Sequence, residues 1–274
     1  MTIPSFPSFT PARMPISARG VRFRAIVLLG LGSLRAPTLA AQDMTAIDGR
    51  SVLRRMHDAY AGKWYKTLTF VQRTIITRAG KPDTTTWYES VRGPVQLRID
   101  FGPPTAGNGA LFNADSTIIV RNGAVARVTP DGNPFLPLIM GVYLQPVEET
   151  ARQLKKFGVD LSTGYRTTWE ERSMLVVGAA SEGDSTSAQF WIDADRKVLV
   201  RMRGAMTGTG GADVHLFGYA RVGAGWLATR VQITSPRQSQ TEEYSAWKAN
   251  VPLSAQLFDP LQWKTARHWA PQKH

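Results

Sequence analysis

Adjacent carboxylates are the residues in this 274-residue chain with the clearest chemical potential. They stand at Glu148-Glu149, Glu170-Glu171 and Glu242-Glu243, and two carboxyls set across a sugar are what glycoside hydrolysis uses. Neighbours on a strand point to opposite faces, so neither of the last two pairs can look into one cleft. They read as solvated charge on an outer face. The four histidines are dispersed: His57 beside Asp58 on a helix, His215 in a strand, His268 and His274 in a tail expected to fray. A metal centre needs three or four such ligands together, so none is expected. The absence of cysteine removes disulfides, thiolate metal sites and a cysteine nucleophile. No G-x-S-x-G occurs outside the first 41 residues, and no H-E-x-x-H, phosphate-cradling loop or dinucleotide fingerprint occurs at all. Gly208-Thr209-Gly210-Gly211 falls between two strands with no helix after it and reads as a hairpin loop. The sequence assigns no catalytic residue, no metal and no cofactor, and points away from an enzyme.

The elements that would position a site are mostly strands. A short helix comes first, capped by Asp48, with Val52, Met56, Ala59 and Tyr60 on one face and Gly62 to end it. Strands are predicted over 68–77, 84–91 and 95–101, where Val95, Leu97, Ile99 and Phe101 alternate with Gln96, Arg98 and Asp100 to give one dry and one wet face. Asn122-Gly123 marks a tight hairpin between strands 116–121 and 124–129. Further strands are predicted over 174–180, 187–193, 198–206, 213–222, 226–234 and 241–249. Short connections favour antiparallel neighbours. Between the two strand-rich halves, residues 134–143 are almost continuously apolar. A helix follows from Pro146, with Glu148 and Glu149 in its first turn and Lys155 and Lys156 in its last. The expected fold is mostly β with a few helices: a single curved antiparallel sheet of about ten or eleven strands, forming an incomplete barrel covered by helices.

The formal charge of +12 invites a nucleic-acid reading. Residues 1–41 weaken it. They hold five arginines and no acid, followed by an apolar run over 25–34 and a small-residue end at Ala40-Ala41, the three-part pattern of a secretory signal peptide. The apolar run falls short of the roughly 20 residues that a membrane-spanning helix requires, so no permanent anchor is expected. Met14 reads as the true start, since it brings the basic segment to the terminus. Removing the leader leaves +7 over 233 residues, with basic side chains scattered rather than clustered. No nucleic-acid partner is expected, and the protein is placed in the periplasm.

A sheet of this width must curl as strand twist accumulates, so its apolar face becomes concave and needs a cover. The opening helix and the 134–157 segment supply one. If that cover leaves space, the cup is a lipid site, because each buried methylene of an acyl chain contributes about 0.8 kcal/mol.

Several stretches carry a resemblance: Met56-His57-Asp58-Ala59-Tyr60, Trp64-Tyr65-Lys66-Thr67-Leu68-Thr69-Phe70, Leu97-Arg98-Ile99-Asp100 with Gly102-Pro103-Pro104, Gln189-Phe190-Trp191-Ile192-Asp193, and Val251-Pro252-Leu253 with Leu257-Phe258-Asp259-Pro260. Over most of 45–264 the chain resembles the outer-membrane lipoprotein-sorting family, the LolA/LolB-like periplasmic carriers. The resemblance implies one LolA-like half-barrel domain over 42–264, an apolar lid at 134–157 and a C-terminal tail at 265–274. It further implies a monomer that binds acyl chains, lipids or lipidated proteins. Phe70, Leu97, Ile99, Phe101, Val200, Met202, Leu216, Val231 and Ile233 would line the pocket, with Phe135, Leu138, Ile139 and Met140 as cover. The alternative is an envelope-sensing module on the same scaffold, with a filled core and a protein partner.

N-terminal sequencing of the exported protein is expected to find the chain beginning at Ala41 or Gln42; retention of residues 22–34 would refute the leader.

Overall fold

The computed structural model describes residues 47–207 and 211–270. The leader, Met14 and the Ala40 and Ala41 cleavage sites lie outside the described residues, as do Gly208, Thr209, Gly210 and His274.

Helix α1 runs Gly49–Tyr60 and begins at Asp48, whose carboxylate accepts from the Arg50 and Ser51 amides at 3.2 and 3.1 Å, satisfying donors that have no intrahelical partner. Its dry stripe is Val52, Leu53 and Met56. Ala59, expected in that stripe, is exposed, and Leu53 takes its place. Six strands follow: β1 (Thr67–Arg78), β2 (Lys81–Arg92), β3 (Gln96–Phe101), β4 (Gly109–Phe112), β5 (Thr117–Arg121) and β6 (Ala124–Thr129). The β5–β6 turn carries Asn122 and Gly123 at φ +52° and +83°, the double left-handed geometry that Asn-Gly accepts. The apolar middle becomes a π-helical turn (Pro137–Gly141), one turn of helix α2 (Val142–Leu144) and helix α3 (Val147–Lys156). Then come β7 (Gly164–Trp169), β8 (Arg172–Val177), β9 (Gln189–Asp193), β10 (Leu199–Arg203), β11 (Asp213–Phe217), β12 (Ala220–Val222), β13 (Gly225–Leu227), β14 (Arg230–Ser235) and β15 (Gln238–Ala249).

Thirteen of these strands form one antiparallel sheet in the order β6-β5-β4-β3-β2-β1-β15-β14-β11-β10-β9-β8-β7, and β12 and β13 form a separate hairpin. Strands β6 and β7 are its two edges, so the sheet is not closed into a barrel. The sheet exceeds the ten or eleven strands expected. Strand β4 is only four residues long and β7 is too polar to announce itself. The stretches 213–222 and 226–234 each divide in two. The first breaks at Gly218, held at φ +62°, where a Cβ would lie 2.3 Å from the Thr229 hydroxyl.

One hydrophobic cluster draws on Leu97, Ala110 and Phe112 from one end of the sheet, on Leu175, Phe190 and Ile192 from the other, and on α1 and the π-turn between them. Side chains from strands so far apart meet only because the sheet curls around them. Its inner face holds this core.

The outer face is also covered. After β15, residues 251–270 run across β3–β5, and Leu257, Phe258, Trp263 and Ala266 pack on Leu111 and Val120. Strand β3 therefore has no wet side, contrary to its alternation: Arg98 and Asp100 are 1% and 0% exposed. The guanidinium grips Asp100 through Nε and Nη2 at 2.8 and 2.7 Å. It also donates to the carbonyls of Leu257 and Trp263 at 3.0 and 3.1 Å and lies 3.8 Å from the Trp263 ring. His268 is not frayed but buried. Its Nδ1 accepts from the Ala270 amide at 3.0 Å, so Nε2 carries the proton and donates to Asp100 at 3.1 Å.

Breaking a buried pair by removing one partner costs about 3–5 kcal/mol, whereas replacing both by apolar groups is far cheaper. Arg98→Met is therefore expected to lower the urea midpoint by a shift of that size, and the double variant Arg98→Met/Asp100→Leu to recover most of it. Equal losses in both would show that the pair does not act as a unit.

Candidate functional site

Strand periodicity decides what faces the cup. On β1 the inward positions are Leu68, Phe70, Gln72, Thr74 and Ile76, opposite Val91, Glu89, Trp87, Thr85 and Asp83 of β2. Leu97, Ile99 and Phe101 of β3 continue the row from Val91, Glu89 and Trp87. On the other side of β1, Tyr244 and Glu242 of β15 face Gln72 and Thr74, and Val231 of β14 and Leu216 of β11 continue the Glu242 row.

Twelve of the thirteen residues expected to line or cover a pocket lie in or against this one cluster. Phe70, Leu97, Ile99, Leu138, Met140, Met202, Leu216 and Val231 are buried within it, while Phe101, Phe135, Ile139 and Ile233 are partly exposed and pack on it. Val200 is the exception and corrects the reading. A β-bulge between Leu199 and Arg201 interrupts the alternation, and Val200 packs instead with Tyr165, Met174, Val176 and Trp191 in a separate outer cluster.

The cover is anchored at one end by aromatic contacts. Tyr143 stacks on Trp64 with centroids 3.8 Å apart, meets Tyr60 edge-on at 5.4 Å and donates to the Lys197 carbonyl at 2.8 Å. Nδ1 of His57 lies 2.9 Å from the Val142 carbonyl and donates to it. Leu138, Met140 and Val142 are fully buried, and Phe135 and Ile139 of the cover are less enclosed.

A polar row crosses this apolar face, which the sequence reading missed. Gln72 donates to the Thr74 hydroxyl at 2.8 Å; Gln240 and the Tyr244 hydroxyl each donate to Glu242 at 2.6 Å. Glu242 is thus not solvated outer charge as expected; it faces inward, and only Glu243 lies outside, paired with Arg73 at 2.8 Å. Burial pushes the Glu242 carboxyl up against the opposing effect of its hydrogen bonds from Tyr244, Gln240 and Gln72. Glu89 is 4% exposed, and among the described residues its carboxyl has no hydrogen-bond or ion-pair partner. Burial, and then the charge of Glu242, hold its carboxyl well above the usual range. The signal for this row was present in phase: Gln72 and Thr74 share the parity of Phe70, and Glu89 that of Trp87 and Val91.

Two other groupings look chemical. His268 beside Asp100 has both ring nitrogens engaged, which leaves neither free to move a proton. On the outer face of β10 and β11, Arg201, Arg203 and His215 surround Asp213. Burial pushes the Asp213 carboxyl up, but Arg201 and His215 hold it below the usual range. Among the described residues no group of three or more His, Asp or Glu could hold a metal ion, and no helix is long and apolar enough to cross a membrane.

No family model matches the sequence, and no curated protein matches it. Solved structures do. A DUF1329 family protein from Desulfovibrio piger is 11% identical with a TM-score of 0.52, over 77% of this chain and 95% of its own. A candidate outer-membrane lipoprotein-sorting protein domain from Vibrio parahaemolyticus is 11% identical with a TM-score of 0.53, over 79% and 98%. A LolA superfamily protein from Nitrosomonas europaea matches over 78% and 98% at 9% identity, with a TM-score of 0.48. At these identities the likeness is one of fold alone, and it extends over most of the chain.

Glu89 makes a stability prediction with a definite sign. A carboxyl whose folded value is raised keeps its proton in the native state while the unfolded chain loses it, so stability falls as pH rises above the ordinary carboxylate range. Glu89→Leu is expected to stabilise the protein by about 1–3 kcal/mol at neutral pH, the cost of a buried unpaired polar group, with the gain shrinking toward pH 4. Denaturant midpoints across that range measure it; a gain independent of pH would refute the assignment.

Proposed function

We propose that this protein is a periplasmic, non-catalytic binder of acyl chains, lipids or lipidated proteins, working as a monomer and related by fold to lipoprotein sorting. The observation that carries this reading is the inner face itself. The sheet curls around one apolar cluster, and Phe101, Ile119, Phe135, Ile139 and Ile233 remain only partly buried against it. Apolar side chains held at the edge of a filled core lose part of their hydrophobic stabilisation, and an acyl chain laid across them restores it at about 25 cal/mol per Å² covered. The fold likeness supports the same reading.

A second reading, an interaction module with a filled interior and an envelope protein as partner, is favoured by one observation: Leu138, Met140 and Met202 are 0–1% exposed, so the cup is solid where the cover meets it. The two separate on purified protein. Lipid recovered by extraction or native mass spectrometry supports carriage; protein that is consistently empty, with one stoichiometric protein partner, supports the module.

Phe135→Ser and Ile139→Asp place polar groups at cover positions that are not fully enclosed. Each is expected to weaken binding of an apolar fluorescent probe by about tenfold or more, given the 1.5–3 kcal/mol that a large apolar contact contributes, while leaving far-ultraviolet circular dichroism unchanged. Unaltered probe binding in both would place the ligand elsewhere.

A further inference from the structure

Glu89 is the least expected residue on the inner face. It sits between Phe70 and Ile99 across its neighbouring strands, nine-tenths buried, with no donor among the described residues bonded to either oxygen. Across β1, and four residues further along it (opposite Thr74, where Glu89 stands opposite Phe70), is a second inward carboxyl, Glu242, already oriented by Gln240 and Tyr244. The inward positions around them hold Phe70, Gln72, Thr74, Trp87, Leu97, Ile99, Phe101, Val231 and Ile233. None of these is basic. Of the arginines on the flanking strands, Arg73 and Arg98 point to the opposite face, where Glu243 and Asp100 engage them, and Arg92 lies over the Phe258 ring of the segment that covers that face. Among the described residues on these strands, the inward face therefore offers acceptors and no cation. Apolar side chains of the same size would pack there without the desolvation cost.

We propose that Glu89 and Glu242 form the headgroup subsite of the cup and select amphiphiles bearing a primary ammonium group. Such a group brings three N–H donors and a positive charge; on binding it displaces the proton that burial keeps on Glu89 to solvent, and the resulting charge-assisted contact is one that no neutral headgroup makes. The alkyl chain would then lie along the partly buried apolar side chains named above. This assignment rests on the lipid-binding reading and deepens it by naming the ligand class.

The test compares tetradecylamine with tetradecan-1-ol, each displacing an apolar fluorescent probe from the mature protein at neutral pH. The wild type is expected to hold the amine about tenfold tighter or more, the difference expected of a charge-assisted contact over a neutral one. Glu89→Gln and Glu242→Gln, which keep shape and cannot ionise, are each expected to bring the two affinities within about threefold while leaving that of the alcohol unchanged. Equal affinity for amine and alcohol in the wild type overturns this proposal alone, and so does an amine preference that survives the double variant. If neither amphiphile displaces the probe, the lipid-binding reading falls and takes the proposal with it.

Discussion

A sheet of thirteen strands has two faces to keep from water and few helices to do it with. That constraint organises the rest of this molecule. Twist lets the sheet cover part of its own inner face by curling, which is why residues from β3 and β9 meet in one core. Helix α1, the π-turn and α2 close one end of the cup, locked there by the Trp64–Tyr143 stack. The outer face cannot curl over itself. It is covered at β3–β5 by the C-terminal segment and at β8–β10 by a smaller aromatic cluster around Trp191.

The C-terminal cover shows how polar residues can be spent on fixing a position. Arg98 and Asp100 look outward from β3, where solvent would be expected, and the segment laid over them supplies two carbonyls, an indole face and an imidazole. A buried ion pair is weak evidence for net stability, because desolvation offsets much of its attraction. Its better-supported role is choosing one register. With the carbonyls of Leu257 and Trp263 both on the guanidinium, sliding the segment by one residue would strand a buried charge.

Much of this was legible in the sequence, for reasons that vary by element. The Asp48 cap, the Asn122-Gly123 hairpin and the charge-graded helix α3 are local features, and local chemistry determines them. The alternation of β3 correctly placed Leu97, Ile99 and Phe101 on one face. It misjudged the other face because burial of Arg98 depends on a segment about 160 residues away, which no local pattern reports. Val200 was misplaced by a single bulge, which alternation cannot anticipate. Glu89 and Glu242 were overlooked because a charged residue in a strand is ordinarily outward. Only the register of β2, β1 and β15 shows that both share the parity of the core.

That parity bears on function more than the apolar residues around it do. Leu, Ile and Phe on an inner face are what any folded sheet requires, and their presence distinguishes a binder from an inert sandwich only where they stay incompletely covered. A carboxyl that bonds no donor among the described residues is different, because no hydrogen bond offsets its desolvation. Glu89 lowers the stability of the empty protein by the desolvation of a group it leaves unpaired, and functional sites are where such costs are commonly carried. Glu242 sharpens the point. Tyr244 and Gln240 satisfy it, so the chain can provide partners for an inward carboxylate on this face, and it provides none to the neighbour whose protonation Glu242 itself favours. The asymmetry between the two is the strongest physical reason to regard the middle of the cup as built for something other than its own packing.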